Sequence, residues 1–238
     1  MSDDSRPENT SDVDVAEETE SSLPPLPARL VAVFFSPGRL MDELVLDPRW
    51  IGALLVGAAL VGLSVALIPV DVFMEMNRQA ALERGREFPE MTERARELMR
   101  VVIPLGSVVS TLAFTAVFTG VYTIIFAFVL GDEGRFRQYL AVVSHAYFIP
   151  LLFGLLVTPL RISTGDPQFT LNLASFFVFL PDGYVLNVLR VFDLTQIWST
   201  LVIAQGVHAI DRRRSFSSAA TILLVLFTGT ALVIARFM

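Results

Sequence analysis

The sequence predicts an all-α polytopic membrane protein: a five-helix transmembrane bundle preceded by short N-terminal amphipathic helices on the membrane surface. Three observations lead there. Hydrophobic residues make up 53% of the 238 and charged residues only 18%, with a mean hydropathy of +0.60, outside the range of an ordinary soluble domain. Residues 50–70 and 101–130 are uncharged runs of 21 and 30 residues, long enough to cross a bilayer. The charges that do occur stand at the ends of such runs, where burying them in hydrocarbon is avoided.

Residues 1–28 hold eight acidic side chains against Arg6 alone, so nearly all of the formal net charge of −6 belongs to this stretch. It is rich in Ser and Pro and too poor in apolar side chains to offset the entropy of ordering, which predicts a disordered acidic tail. It lacks the basic start and short apolar core of a secretory signal. The tail is read either as a docking segment for a soluble partner or as a solvated extension. All eighteen basic residues of the chain are arginine and there is no cysteine, which excludes a disulfide framework and thiolate metal sites.

Residues 29–238 form the predicted membrane domain. Ser36-Pro37 and Asp47-Pro48 each place a capping side chain before a proline, the favoured order at a helix start. This predicts one short helix before Ser36, a second over residues 37–46, both along the membrane surface, and a first span over about 48–70. Phe34, Phe35, Leu40, Met41 and Leu44 are expected on the apolar face, with Arg39, Asp42 and Glu43 outward. Within the first span Ala58, Gly62 and Ala66 recur every four residues and invite close helix packing.

Residues 71–100 carry six arginines and seven acids at helical spacing, a solvated helical hairpin broken near Pro89. The next span covers about 104–130, with a surface turn around Pro104 and Gly106 as an alternative to one long helix. In it Ser107, Thr111, Thr115, Thr119 and Thr123 draw a hydroxyl stripe, suited to a helix crossing or to the lining of a polar path. A tight turn at residues 131–134 precedes the third span, about 139–160, which Pro150 should kink. His145 lies near its entrance, where it can reach headgroups or bond across to a Thr.

The ten apolar residues 171–180 are too few to cross, so residues 169–191 read as a re-entrant or interfacial hairpin turning at Pro181-Asp182-Gly183. Arg190 and Asp193 are spaced to pair there. The fourth span, about 192–210, carries the densest chemistry of the chain. Asp193 and Gln196 have capping-box spacing at its start, and Asp211 with Arg212, Arg213 and Arg214 ends it. Its uncharged stretch, residues 194–210, is worth about 25 Å of helix, the low end of a span. The last span covers about 217–235.

Five crossings put the termini on opposite sides. Eight arginines flank the spans on the N-terminal side and nine on the other, so the tally alone does not orient the chain. The arginines of the short loops at 131–138 and 211–216 are undiluted by neighbouring length, which favours a cytoplasmic N-terminus.

The order of FFSPGRLMDELVLDPRW before the first span, FRQYLAVVSHAYFIPLL at the third and FDLTQIWSTLVIAQGVHAIDRRRSFSSAATI at the fourth and fifth resembles the prokaryotic branch of the Yip family, five-span membrane proteins named for interaction with Ypt/Rab GTPases. The resemblance covers residues 29–236, and its marks are Pro150, Asp193, Trp198 and Gly206. It implies a cytoplasmic N-terminus and, for prokaryotic members, a scaffold or assembly role in a cytoplasmic membrane. The aspartate-leucine-tyrosine-glycine-proline signature of the eukaryotic branch is absent ahead of the first span.

No motif for hydrolysis, phosphate cradling or zinc ligation occurs, and the two histidines, His145 and His208, sit on different helices. The reading is a non-enzymatic membrane protein without cofactor or metal. Its expected partners are membrane lipid and proteins on the N-terminal side, not nucleic acid. Candidate structural or interaction positions are Pro150, Asp193, Gln196, Trp198, Gly206, Arg212, Arg213 and Arg214. The rival reading is a small-solute or ion transporter or channel with a polar path near Asp193, to which Gln205, His208 and the hydroxyl stripe would contribute.

Overall fold

In the computed structural model the described residues are 23–83, 85–87, 91–177 and 179–238. Most of the acidic tail and the break at Pro89 lie outside them. Eleven α-helices are described: α1 Leu26–Phe35, α2 Pro37–Leu46, α3 Ile51–Leu67, α4 Val70–Glu83, α5 Glu93–Thr123, α6 Phe136–Ala146, α7 Phe148–Leu156, α8 Thr158–Thr164, α9 Tyr184–Val191, α10 Leu194–Ile210 and α11 Phe216–Ala235. The protein is all-helical, as its sequence predicts.

Helix α10 is the axis, packed by α11, α2, α6 and α7, while α3 lies outside, against α5 and α7. Its buried positions, among them Thr195, Ser199, Val202, Ile203 and Gly206, cover about half of the cylinder, while Leu194 and Trp198 on the other side are 41% and 37% exposed. The exposed side is largely apolar too, as suits a helix that borders lipid, so α10 shows no amphipathic stripe. The α6–α10 crossing depends on Gly206, where a Cβ would sit 2.2 Å from Cγ1 of Val142 and 2.9 Å from its Cβ. The α3–α5 contact is made similarly at Gly62, 2.7 Å from Cγ2 of Val108; of the other members of the small-residue repeat Ala58 is buried and Ala66 is exposed.

Helices α5 with its π-helical extension Ile124–Val129, α6 with α7, and α11 are long and apolar enough to cross a bilayer; α3 with α4 makes a fourth if that pair, bent by 78°, is one span. Helix α10, at 17 residues, is shorter. Large apolar side chains such as Val102, Leu105, Phe114 and Phe128 are exposed along α5, a surface that suits lipid.

Several sequence expectations are corrected. Asp47 ends α2 and pairs with Arg49 at 2.7 Å instead of capping a helix at Pro48; α3 begins at Ile51. Of the two readings of residues 101–130, the simpler one, a single long helix, is the one that forms: α5 and its π extension run unbroken for 37 residues, about 55 Å, so its charged first turns project past a hydrocarbon core of about 30 Å. Proline at 104 removes only one ladder bond, to the Arg100 carbonyl, beside the polar end of the helix. The third span breaks at Tyr147, beside the Ala146 carbonyl that Pro150, having no N–H, leaves without its ladder partner, and a separate helix, α8, follows the span. The surface helices are also more deeply set than expected. Val33, Leu40, Met41 and Leu44 are at most 1% exposed and belong to the central core with Val142, Ile203 and Val207, although Phe35 faces outward at 84%.

Replacing Gly206 by Ala is expected to destabilise the bundle by about 1–3 kcal/mol, because the branched Val142 has no flexible end to withdraw. Gly229→Ala, with nothing within 4 Å, should be neutral or slightly stabilising. Melting of the detergent-solubilised variants checks both.

Candidate functional site

The chemistry of the protein gathers at the two ends of α10. At its C-terminal end Asp211 folds back as a buried carboxylate: Oδ2 accepts from the Glu133 N–H at 3.0 Å, Oδ1 from the Arg213 N–H at 2.9 Å, and the Arg213 guanidinium closes on Oδ2 at 2.7 Å. Arg214 grips the buried Asp132 with Nε and Nη2, both at 2.5 Å, and its guanidinium lies 5.6 Å above the Phe126 ring. Phe126 in turn stacks on Tyr139. Arg212 reaches Asp42 of α2 at 2.5 Å and donates to Nε2 of His208 at 3.2 Å. Arg213 and Arg214 thus tie the end of α10 to the 131–134 turn, through Glu133 and Asp132, and Arg212 ties it to α2.

The hairpin α1–α2 is fastened a second time. Arg29, buried on an otherwise apolar helix, donates from Nη1 to the Arg49 carbonyl at 3.0 Å and to Nε2 of His145 at 3.3 Å. A guanidinium is only a donor, so Nε2 must accept, which leaves the His145 proton on Nδ1, 2.8 Å from the Ala141 carbonyl. Burial, with Arg49 next in effect, pushes the Arg29 pKa down. His145 is therefore fully buried and bonded to an arginine, where the sequence suggested headgroups or a Thr.

At the other end Asp193 caps α10. Its Oδ1 accepts from the Thr195 N–H at 2.7 Å, the Gln196 N–H at 3.1 Å and the Thr195 hydroxyl. The cap is half of a capping box: among the described residues the Gln196 side chain makes no bond back to Asp193. Nor does Arg190 pair with Asp193; it bonds Asp182 at 3.2 Å and Asn187 at 3.3 Å. A short antiparallel bridge between Asn172 and Asp193 fixes the preceding loop to this point.

Beside Asp193 lies a cavity of about 250 Å³ lined by Pro150, Gln196, Ser64, Gly154, Thr170 and Arg161 among others. Arg161 donates from Nε to the Phe169 carbonyl at 2.9 Å and from Nη1 to Ser64 Oγ at 3.3 Å. Ser64 is itself 2.8 Å from Thr158 Oγ1, so a hydroxyl pair braces the guanidinium. Burial lowers the Arg161 pKa while Asp166 and Asp193 act in the opposite direction.

Of the eight positions singled out in the sequence, Pro150, Asp193 and Gln196 meet at this cavity, and Arg212, Arg213 and Arg214 share the opposite end. Gly206 sits at the α6 crossing, and Trp198 packs edge-on against Phe34 at 5.4 Å and near Phe153 at 6.4 Å. Arg29, Arg161 and Ser64 were not singled out. Their signal was available for the two arginines: each is the one charge on a short, otherwise uncharged helix. Among the described residues no group of three or more His, Cys, Asp or Glu is placed to hold a metal.

A family model described as the Yip1 domain matches residues 31–235, which takes in both ends of α10. The chain belongs to the Yip1 family. No curated protein and no solved structure matches it. The matched region of this Yip1 protein runs from within α1 to the end of α11, so the α1–α2 hairpin and the membrane helices form one family unit and the acidic tail lies outside it.

The ion cluster generates two expectations. Arg214→Gln strands the buried Asp132 carboxylate and should cost about 3–5 kcal/mol, whereas Arg212→Gln, whose pair with Asp42 is exposed, should cost less than about 1 kcal/mol. The second concerns acid. Hydrogen bonds from the Arg213 guanidinium, then from the Glu133 and Arg213 N–H groups, hold the Asp211 carboxyl well below its ordinary value of 3.8. A depressed folded-state pKa contributes stability that is complete above the unfolded value and is lost as pH falls beneath it. Wild-type protein should therefore lose more melting temperature than Asp211→Asn between about pH 6 and about pH 3.

Proposed function

We propose that this Yip1 protein is a non-enzymatic membrane scaffold, crossing the bilayer five times through α3, α5, α6–α7, α10 and α11. Its N-terminus lies in the cytoplasm of a prokaryotic cell and its C-terminus on the far side. The observation that carries this reading is the double fastening of α1–α2. Arg29 to His145 and Arg212 to Asp42, with Gln138 donating to the Val45 carbonyl at 3.1 Å, make a rigid platform at the N-terminal face. From it Phe35 and Leu46 project at 84% and 85% exposure, beside the charged Arg39 and Glu43. A rigid face with apolar anchors in a charged surround suits partner binding. The acidic tail, attached beside this platform, supplies a second contact for a soluble partner.

A conduit is less well supported, because the hydroxyl stripe of α5 is spent within its own helix. Thr111, Thr115, Thr119 and Thr123 each donate to the carbonyl four residues back at 2.7–2.8 Å, and Ser107 donates to that of Pro104. The hydroxyl lone pairs remain, but Thr115 and Thr119 in the middle of the stripe are 2% and 0% exposed, packed in the bundle rather than along an open path.

Because the chain has no cysteine, single cysteines at Ser11 and Phe237 can be labelled with a membrane-impermeant maleimide in intact and opened cells. Five crossings place the two on opposite sides; protection of both from the same side overturns the topology. In proteoliposomes the protein should leave solute flux at background, and a flux abolished by Asp193→Ala would replace the scaffold with a transporter. Photocrosslinks from position 35 to a protein partner should disappear when Arg29→Gln loosens the platform.

A further inference from the structure

The cavity beside Asp193 holds one cation and one anion that are not joined. Arg161 uses Nε on the Phe169 carbonyl and Nη1 on Ser64 Oγ; among the described residues Nη2 has no protein acceptor. Asp193 spends Oδ1 on three donors at the start of α10, and Oδ2 has none. Both residues line the same cavity of about 250 Å³, with apolar walls from Val61, Leu151 and Phe153 between α3, α7 and α10. A guanidinium and a carboxylate left apart in a partly dry cleft are each half-solvated, and a ligand with the complementary pair of charges satisfies both at once.

We propose that this cavity binds a phosphate ester carrying a primary ammonium, the chemistry of a phosphoethanolamine headgroup, with the phosphate on Arg161 and the ammonium on Asp193. The phosphate arm follows from the fork of a guanidinium already braced by Ser64 and Thr158, which presents its remaining N–H groups in a fixed direction. The ammonium arm follows from Oδ2, which needs an N–H donor. A quaternary ammonium has none, and an aromatic cage that would hold one is missing, because Phe153 is the single aromatic side chain lining the cavity. The site lies where α7 ends and α8 begins, at the end of a span, the depth at which headgroups lie. The inference rests on the membrane placement of the chain and not on its scaffold role.

The test uses full-length protein in detergent and measures binding of dihexanoyl phosphatidylethanolamine, dihexanoyl phosphatidylcholine and free phosphoethanolamine. Arg161→Gln and Asp193→Asn should each weaken the ethanolamine lipid at least about tenfold, and Arg190→Gln, which removes an exposed pair with Asp182, should not. Asparagine caps a helix as well as aspartate, so Asp193→Asn separates binding from folding. In the wild type the choline lipid should bind at least about tenfold more weakly than the ethanolamine lipid, a comparison that needs no variant. Displacement of the lipid by free phosphoethanolamine supports the site with a soluble source; lipid binding that resists displacement supports it with a bilayer source. Equal binding of the two lipids, or affinity unchanged in both cavity variants, overturns the proposal. Partner crosslinking at position 35 that persists while lipid binding is lost leaves the scaffold reading standing.

Discussion

The architecture turns on one constraint: a helix packed into a membrane bundle must have its end groups satisfied with little help from bulk water. Helix α10 meets it at its start with the Asp193 carboxylate and at its end, where the free groups are carbonyls, with the Asp211 N–H on the Val207 carbonyl at 3.1 Å. Asp193 takes the free N–H groups of the first turn, and Asp211 turns back to collect N–H groups from the 131–134 turn and from Arg213. The two carboxylates are then the points to which neighbouring segments attach. The 131–134 turn and the start of α11 converge on Asp211 and Arg214; the 171–173 segment bridges to Asp193 through the Leu173 N–H on the Phe192 carbonyl at 2.9 Å. An ion pair this enclosed contributes little net stability by itself, since desolvation offsets most of the attraction. It fixes which loops meet, and that determines how the helices pack.

Packing in such a bundle is set by backbone approach rather than by hydrophobic drive, since lipid is as apolar as leucine. Gly206 and Gly62 mark close approaches of α10 to α6 and of α3 to α5. The amphipathic α2 follows the same logic. Its apolar face could have lain in the headgroup layer, but the groove between α6 and α10 offers Val142, Ile203 and Val207 at protein packing density. Leu40, Met41 and Leu44 fill that groove, and Arg212 pins Asp42 on the outer side.

What was legible in the sequence was local chemistry. The bounds of α2 and α10, at residues 37–46 and 194–210, follow from a proline after a serine and from charges flanking an uncharged run. The Asp193 cap follows from spacing alone. What was not legible depends on partners distant in the chain: Arg29 and His145 are 116 positions apart, Arg161 and Ser64 are 97. Competition also misleads a local reading. Arg190 is three residues from Asp193 and still bonds Asp182 and Asn187 instead. Pro104 sits inside one long helix, the simpler of the two readings, because one missing bond beside the charged end is outweighed by the continuous ladder on both sides.

The two ends of α10 differ in a way that follows from their ionic bookkeeping. At the Asp211 end Arg213 meets Asp211 and Glu133, and Arg214 meets Asp132, so each carboxylate there has a guanidinium within 3.3 Å. At the Asp193 end the nearest arginine is held back by the Phe169 carbonyl and Ser64 Oγ, so its charge and that of Asp193 act on each other across the cavity without contact. Direct closure would need Arg161 to give up two hydrogen bonds for one ion pair in a half-buried cleft, where the gain of a single pair is small. The open arrangement is thus the more stable one for the protein by itself. One end of the axis is sealed and the other is kept ready for a group that brings both charges with it.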